Sequence, residues 1–175
     1  MIFMRKNLRD FEGGSPVFID ATIFLHHAFD TNPISVEFLK RVETSSMKAY
    51  TSALVLEEVS YKIIMQSASN YMARVTVQRV KEYLKHPKSR IKVLSPLVEY
   101  LDYIDKMREA GMTVIDLTGK DIKQAANYAK ENGLITADAA HLAVMFRKSI
   151  RNMATEDSDF AAVKNITVWS PAARY

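Results

Sequence analysis

Five short apolar or β-branched runs, Val17 to Ile19, Ala49 to Ser52, Val114 to Leu117, Asn152 to Thr155 and Ile166 to Trp169, are set apart by much longer segments of helical periodicity. Each run has the length of a buried strand and is too short for a stable helix. The helical patterns fall at about 22–30, 33–46, 53–68, 70–86, 96–110, 119–132 and 137–150. Strands joined through helices pair in parallel, and a parallel sheet must be covered on both faces. The alternation therefore predicts an α/β fold, a three-layer α/β/α sandwich with a central, mostly parallel sheet.

Punctuation along the chain supports these elements. Pro33 and Pro96 stand where a first helical turn accepts proline, Gly111 and Gly133 follow helical patterns as C-terminal caps, and Pro87 ends the helix at 70–86. Thr118 with Asp121 three residues later reads as a capping box. The stretch Ile91 to Leu94 fits either a short strand or a link between helices. A chain of 175 residues is long enough to bury its own core as one domain.

No stretch approaches the ~18 consecutive apolar residues of a membrane span. The opening MIFMRKNLRDFEGGSP has too short an apolar run for a signal-peptide core, so a soluble, cytoplasmic protein is expected. The absence of cysteine removes disulfides, thiolate metal sites and cysteine nucleophiles, and agrees with a reducing compartment. Any metal would be held by oxygen or imidazole. The net charge of +4 favours polyanions weakly. Its distribution says more: Arg74, Arg79, Lys81, Lys85, Lys88, Arg90 and Lys92 occupy one stretch whose only acid is Glu82. A solvated helix face is the plainer account, and contact with nucleic-acid phosphate through Arg74, Arg79 and Lys81 is the functional one.

Chemistry is concentrated in acids with apolar neighbours: Asp20 in VFIDATIFL, Glu58 in SALVLEEVSY, Asp138 in LITADAAHLAVM and Asp157 in MATEDSDF. Stripping water from a carboxylate is costly unless a positive or hydrogen-bonding group replaces it. Converging carboxylates would repel by roughly 4 kcal/mol per close pair at an effective dielectric of about 20. A folded cluster thus calls for a hard cation, Mg2+ or Mn2+. Asp20 and Asp157 fall just beyond strand ends, where parallel sheets bind ligands, although both also suit helix capping. Asp138 opens a helix of small residues, with Thr136 as its expected N-cap; its charge also suits the helix dipole. Glu57 and Glu58 are not separated by periodicity, and Lys62 offers an ordinary i, i+4 partner. His26, His27, His86 and His141 form no zinc spacing such as H-E-x-x-H. Tyr71, Tyr83, Tyr100 and Tyr103 suit helix packing or stacking on bases.

Taken in order, FIDATIF, Ser52 with a glutamate six residues later, GLITADAAHLAV and TEDSDF resemble the PIN-domain family of metal-dependent ribonucleases, which includes VapC-type toxins. The resemblance runs from about Val17 to Trp169. It implies a PIN-like sandwich with an acidic pocket for one or two divalent ions. Asp20, Glu58, Asp138 and Asp157 match the family's acidic residues, which selects Glu58 over Glu57 and implies Asp20, Asp138 and Asp157 as direct or water-mediated metal ligands with Glu58 completing the cluster. Thr22 and Thr155 match its small polar and hydroxyl supporting positions, and Asp159 matches the acid before the terminal Phe, as a ligand or a loop cap. Residues 1–16 then form an amino-terminal extension to a nuclease domain at 17–175, and extra helical material lies around 86–112.

The function this implies is hydrolysis of RNA phosphodiester bonds by a Mg2+- or Mn2+-dependent endoribonuclease, of toxin type or otherwise. The bound ion would activate water and neutralise phosphate charge. RNA, a homodimer and an antitoxin protein are the candidate partners. A non-catalytic nucleic-acid-binding or partner-binding module on the same fold is the alternative. A haloacid-dehalogenase-type phosphatase fits less well, because Thr22 stands where its second Asp belongs.

Overall fold

The computed structural model describes residues 5–172. The apolar start Met1 to Met4 and residues 173–175 of the expected domain lie outside the described residues. Six strands, β1 (Arg5–Asn7), β2 (Val17–Ile19), β3 (Ala49–Ser52), β4 (Thr113–Ile115), β5 (Asn152–Ala154) and β6 (Thr167–Ser170), form one sheet in the order β1-β6-β5-β2-β3-β4. Every pairing is parallel. The expected α/β sandwich with a parallel central sheet is what the chain forms. All three residues of β2 are fully buried, as a strand flanked on both sides and covered on both faces must be.

Seven α-helices are present among the described residues: α1 (Ala21–Ala28), α2 (Pro33–Thr44), α3 (Ala53–Ser69), α4 (Val77–Tyr83), α5 (Pro87–Glu109), α6 (Gly119–Asn132) and α7 (Thr136–Arg147). The steps β2 to β3 and β3 to β4 move across the sheet in one direction, and the step β4 to β5 moves back. Right-handed crossovers then put α1–α5 on one face and α6 with α7 on the other. Packing agrees, because α1, α2, α3 and α5 contact one another while α6 packs chiefly on α7. One core of buried side chains fills both interfaces, with Phe18, Ile19, Phe24, Phe38, Leu142 and Met145 among its largest members.

Several boundaries differ from the sequence expectation, each for a local reason. The helix expected at 70–86 shrinks to α4, because Asn70 closes α3 and Thr76 caps a new start by accepting from Arg79 N at 3.3 Å. Pro87 opens α5 at its first position, where its missing N–H has no role. Ile91 to Leu94 is therefore helix, neither strand nor link, and Pro96 sits inside α5 and not at its start. Ile135, not Thr136, is the N-cap of α7, which ends at Arg147. Strand β4 ends at Ile115, two residues earlier than expected. The anticipated capping box at Thr118 and Asp121 is present, and Gly133 closes α6 at φ +71. Ahead of Val17, Arg5–Asn7 adds a strand beside β6, and Leu8 and Phe11 enter the core. No helix among the described residues is long and apolar enough to cross a membrane.

Candidate active site

The chain leaves β2 in one direction across the sheet and returns through β5 on its other side, so the carboxyl ends of β2 and β5 form a topological switch point. Asp20 follows β2 there. Its N–H donates to the Ala154 carbonyl at 3.0 Å, extending the strand pairing to the residue itself. Its side chain is 5% exposed, and Oδ2 accepts from Thr155 Oγ1 at 2.7 Å and from Thr22 Oγ1 at 2.9 Å. The same oxygen caps α1 through Thr22 N at 3.5 Å. The capping and site readings of Asp20 are thus compatible. Both threonines also fix the neighbouring loop, since Thr155 Oγ1 accepts from Asp157 N at 2.9 Å and Thr22 Oγ1 from Glu156 N at 3.1 Å.

Asp138 lies in the first turn of α7, where the buried Ala139 and Ala140 allow close packing and carry the carboxylate inward. Asp138, Asp157 and Asp159 each offer an oxygen within 4.8 Å of the other two. The exposed Asp159, expected as a ligand or a loop cap, belongs to this tight group. Its N–H donates to Asp157 Oδ1 at 2.8 Å, which sets the bend that brings the two together. Glu58 is half-buried on α3 and Glu57 is exposed. The helix register therefore turns Glu58 inward, with α3 started by Ser52, whose Oγ accepts from Val55 N at 3.2 Å.

Burial first, then the charges of Asp157, Asp20 and Asp159, pushes the Asp138 carboxyl up to about 6. Burial likewise raises Glu58, with Asp20 adding and Lys62 opposing, before a further contribution from Asp138. The charge of Asp20 thus acts on both Asp138 and Glu58, and that of Asp138 on Glu58, although neither Asp20 nor Glu58 belongs to the trio. Among the described residues no Lys, Arg or His makes a salt bridge to any of these five acids. The donors are all hard carboxylate oxygens with no ion-paired cation among the described residues, Lys62 only opposing the rise of Glu58, and such a set fits a hard divalent ion.

Beside the acids lies a group that the sequence reading passed over. His26 Nε2 meets Glu156 Oε2 at 2.7 Å, while its Nδ1 lies 2.9 Å from Ser35 Oγ. The signal available was spacing: His26 follows Thr22 by four residues on α1, so the two share a helix face. His141 is 2% exposed with its ring against Phe18. Burial lowers its pKa while Asp20 pulls it upward, and its Nδ1 has no hydrogen-bond partner among the described residues. Arg74, Arg79 and Lys81 are exposed and are not brought to the acids, because α4 packs against Ile64, Met65 and Ala68 toward the far end of α3. Tyr100 is buried with its hydroxyl donating to the Phe24 carbonyl at 2.8 Å, and Tyr103 stacks on His27. Tyr71 stacks on Tyr83.

A family model described as PIN domain matches residues 17–166. The fold is similar to that of VapBC2 from Rickettsia felis, solved bound to a DNA fragment from its promoter, at TM-score 0.56 and 13% identity over 88% of this chain and 97% of that one. It is also similar to VapC20 of Mycobacterium tuberculosis, a toxin that cleaves the sarcin-ricin loop, at TM-score 0.53 and 16% identity over 86% and 96%. A DNA-bound VapBC from Salmonella typhimurium matches at TM-score 0.56 and 10% identity, over 90% and 99%. No curated protein matches the sequence.

Proposed function

That the chain belongs to the PIN-domain family is the premise from which we propose that it is a Mg2+- or Mn2+-dependent endoribonuclease. The observation that carries the proposal is the convergence of Asp138, Asp157 and Asp159 within 4.8 Å, flanked by Asp20 and Glu58 and without an ion-paired cation among the described residues. Asp138, Asp157 and Asp159 would hold the ion, with Asp20 and Glu58 completing the negative field. A bound divalent ion supplies an activated water and neutralises charge on a phosphodiester. The chain's own part is orientation. Thr155 and Thr22 hold Asp20 in one rotamer through two hydroxyl donors, and Thr155 passes that constraint to Asp157 through its amide. His26 fixes Glu156 from the other side and so steadies the loop that carries Asp157.

RNA is the proposed substrate, the cytoplasm its place, and an antitoxin-type protein and a second copy of the chain the proposed partners. Exposed Arg74, Arg79 and Lys81 would contact RNA phosphate at a distance from the acids. The test is cleavage of structured and single-stranded RNA with Mg2+, Mn2+ or EDTA. Cleavage is expected with either ion, absent in EDTA, and reduced at least 100-fold by Asp138→Asn. Metal-independent cleavage, or an unimpaired Asp138→Asn, overturns the reading. Saturable RNA binding without any cleavage supports the non-catalytic alternative.

A further inference from the structure

A cleft of about 1060 Å³ lies away from the acids, between the outer sides of α6 and α7 and the segment that follows Ala162. Its charge is one-sided. Asp121 and Arg147 on its wall neutralise each other in an ion pair of 2.7 Å, which leaves Lys120, Arg151 and Lys164 against Glu131 alone. All three cations are exposed and none has an acidic partner within salt-bridge reach among the described residues. The cleft also holds aromatic surface. Tyr128 and Phe146 meet edge to face at 5.2 Å, and the Arg151 guanidinium lies over the Phe146 ring at 4.3 Å.

Two stretches of chain link this cleft to the acidic group. Helix α7 carries Asp138 in its first turn and Phe146 in its last, a span of about 12 Å along the axis. The 3-10 turn Asp159–Ala162 starts in the acidic trio, and Val163 and Lys164 continue into the cleft wall. Cations spaced along a groove suit a phosphate backbone, and a guanidinium plane backed by rings suits an unstacked base. An acidic peptide would use the cations and leave the rings without a role.

We propose that this cleft binds a single-stranded segment of RNA continuous with the strand at the acidic group, a proposal that rests on RNA being the substrate. Binding here would hold the nucleotides that flank the scissile bond, so it sets affinity for long substrates and leaves the chemistry of short ones unchanged.

The test uses the full chain, a fluorescein-labelled 12-nucleotide RNA of mixed sequence in EDTA, and anisotropy at several salt concentrations. The triple variant Lys120→Ala, Arg151→Ala, Lys164→Ala is expected to bind at least tenfold more weakly. Its slope of log K against log salt should be shallower by about 2, from ~0.7 per phosphate contact on a single strand. Arg151→Lys should keep the slope and lose affinity, the signature of a stacked guanidinium. Circular dichroism checks that the variants remain folded. An unchanged affinity and slope, no binding by the wild type, or equal loss of binding to a poly-glutamate peptide overturns the proposal. If binding depends on the cleft but no metal supports cleavage, the nuclease reading fails and this one stands. If long RNA is cleaved equally well by the triple variant, this one fails and the nuclease reading stands.

Discussion

Removing the Asp121 carboxylate tests how the face that carries Asp138 is held in place. Asp121 is 3% exposed on α6, and its oxygens accept from Arg147 Nε at 2.7 Å and Arg147 Nη2 at 3.0 Å, from Thr118 N at 2.8 Å and from Thr118 Oγ1 at 2.7 Å. One residue thus caps α6 and fastens it to the end of α7. Loss of the cap costs about 1 kcal/mol, and loss of hydrogen bonds to a charged group about 1.5–3 kcal/mol. The lower part of that range applies, because the Arg147 side chain is 36% exposed and can regain water. Asp121→Ala should therefore destabilise by about 3 kcal/mol, lowering the melting midpoint by about 6–12 °C for a chain of this size. Urea denaturation of Asp121→Ala, Arg147→Met and the double variant gives the coupling, expected at about 1–2 kcal/mol. The pH dependence has a defined sign. Burial opposes ionisation of Asp121, but the Arg147 and Thr118 hydrogen bonds prevail and lower its pKa. Its contribution is then complete above the ordinary carboxylate value of ~4 and is lost as pH falls through the folded value. The gap between wild type and Asp121→Ala should stay constant from neutrality to about pH 5 and close in stronger acid. A coupling below about 0.3 kcal/mol, or a gap that persists in acid, would refute the reasoning.

Other expectations concern the acidic group. Asp138→Asn and Asp157→Asn should each weaken Mn2+ binding at least tenfold by isothermal titration, whereas Glu57→Gln should leave it within twofold. Because Asp138 is raised to about 6, protons compete with the ion below that value. Mn2+ affinity should climb between pH 5 and 7 and level off above, and a flat profile in calorimetry would contradict the assignment. Thr155→Val keeps the shape but removes the 2.7 Å donor to Asp20 and the acceptor for Asp157 N. It should cost about 1–2 kcal/mol and lower RNA cleavage tenfold or more; full activity with normal stability would show that Asp20 needs no such support.

The elements that sequence revealed are those whose signal is local. Buried runs such as Val17 to Ile19 announce a central parallel strand, and Thr118 with Asp121 announces a helix start within four residues. The N-terminal strand Arg5–Asn7 was not legible because it is a polar, mostly exposed edge strand, with no alternation to read. The region 70–109 was misjudged because proline has two meanings. Pro87 serves as an opening residue of α5, and Pro96 is tolerated in its interior, where only the surrounding 23-residue helix makes the position intelligible. At the site, four acids stood out by their apolar neighbours, and burial now separates Glu58 from Glu57. Arg147 as the partner of Asp121, and Ser35 as the partner of His26, depend on pairings across 26 and 9 residues, which no local pattern encodes.

Two buried aspartates show why burial alone did not identify the site. Asp121 and Asp20 are 3% and 5% exposed, and both accept a hydrogen bond from a threonine hydroxyl at a helix start, Thr118 and Thr22 respectively. They differ in what supplies the opposite charge. Asp121 receives a guanidinium fork, so its ionised form is favoured and the residue serves the packing of α6 on α7. Among the described residues Asp20 has only neutral hydroxyl and amide donors, and it adds to the negative field that raises Asp138 and Glu58. A fold that only needed to bury Asp20 would gain from a cation beside it, as it has one beside Asp121. Keeping five acids with no ion-paired cation among the described residues, Lys62 only opposing the rise of Glu58, leaves an unfavourable charge that a divalent ion would relieve. The energetic reason to expect a metal therefore lies in the missing arginine as much as in the acids present.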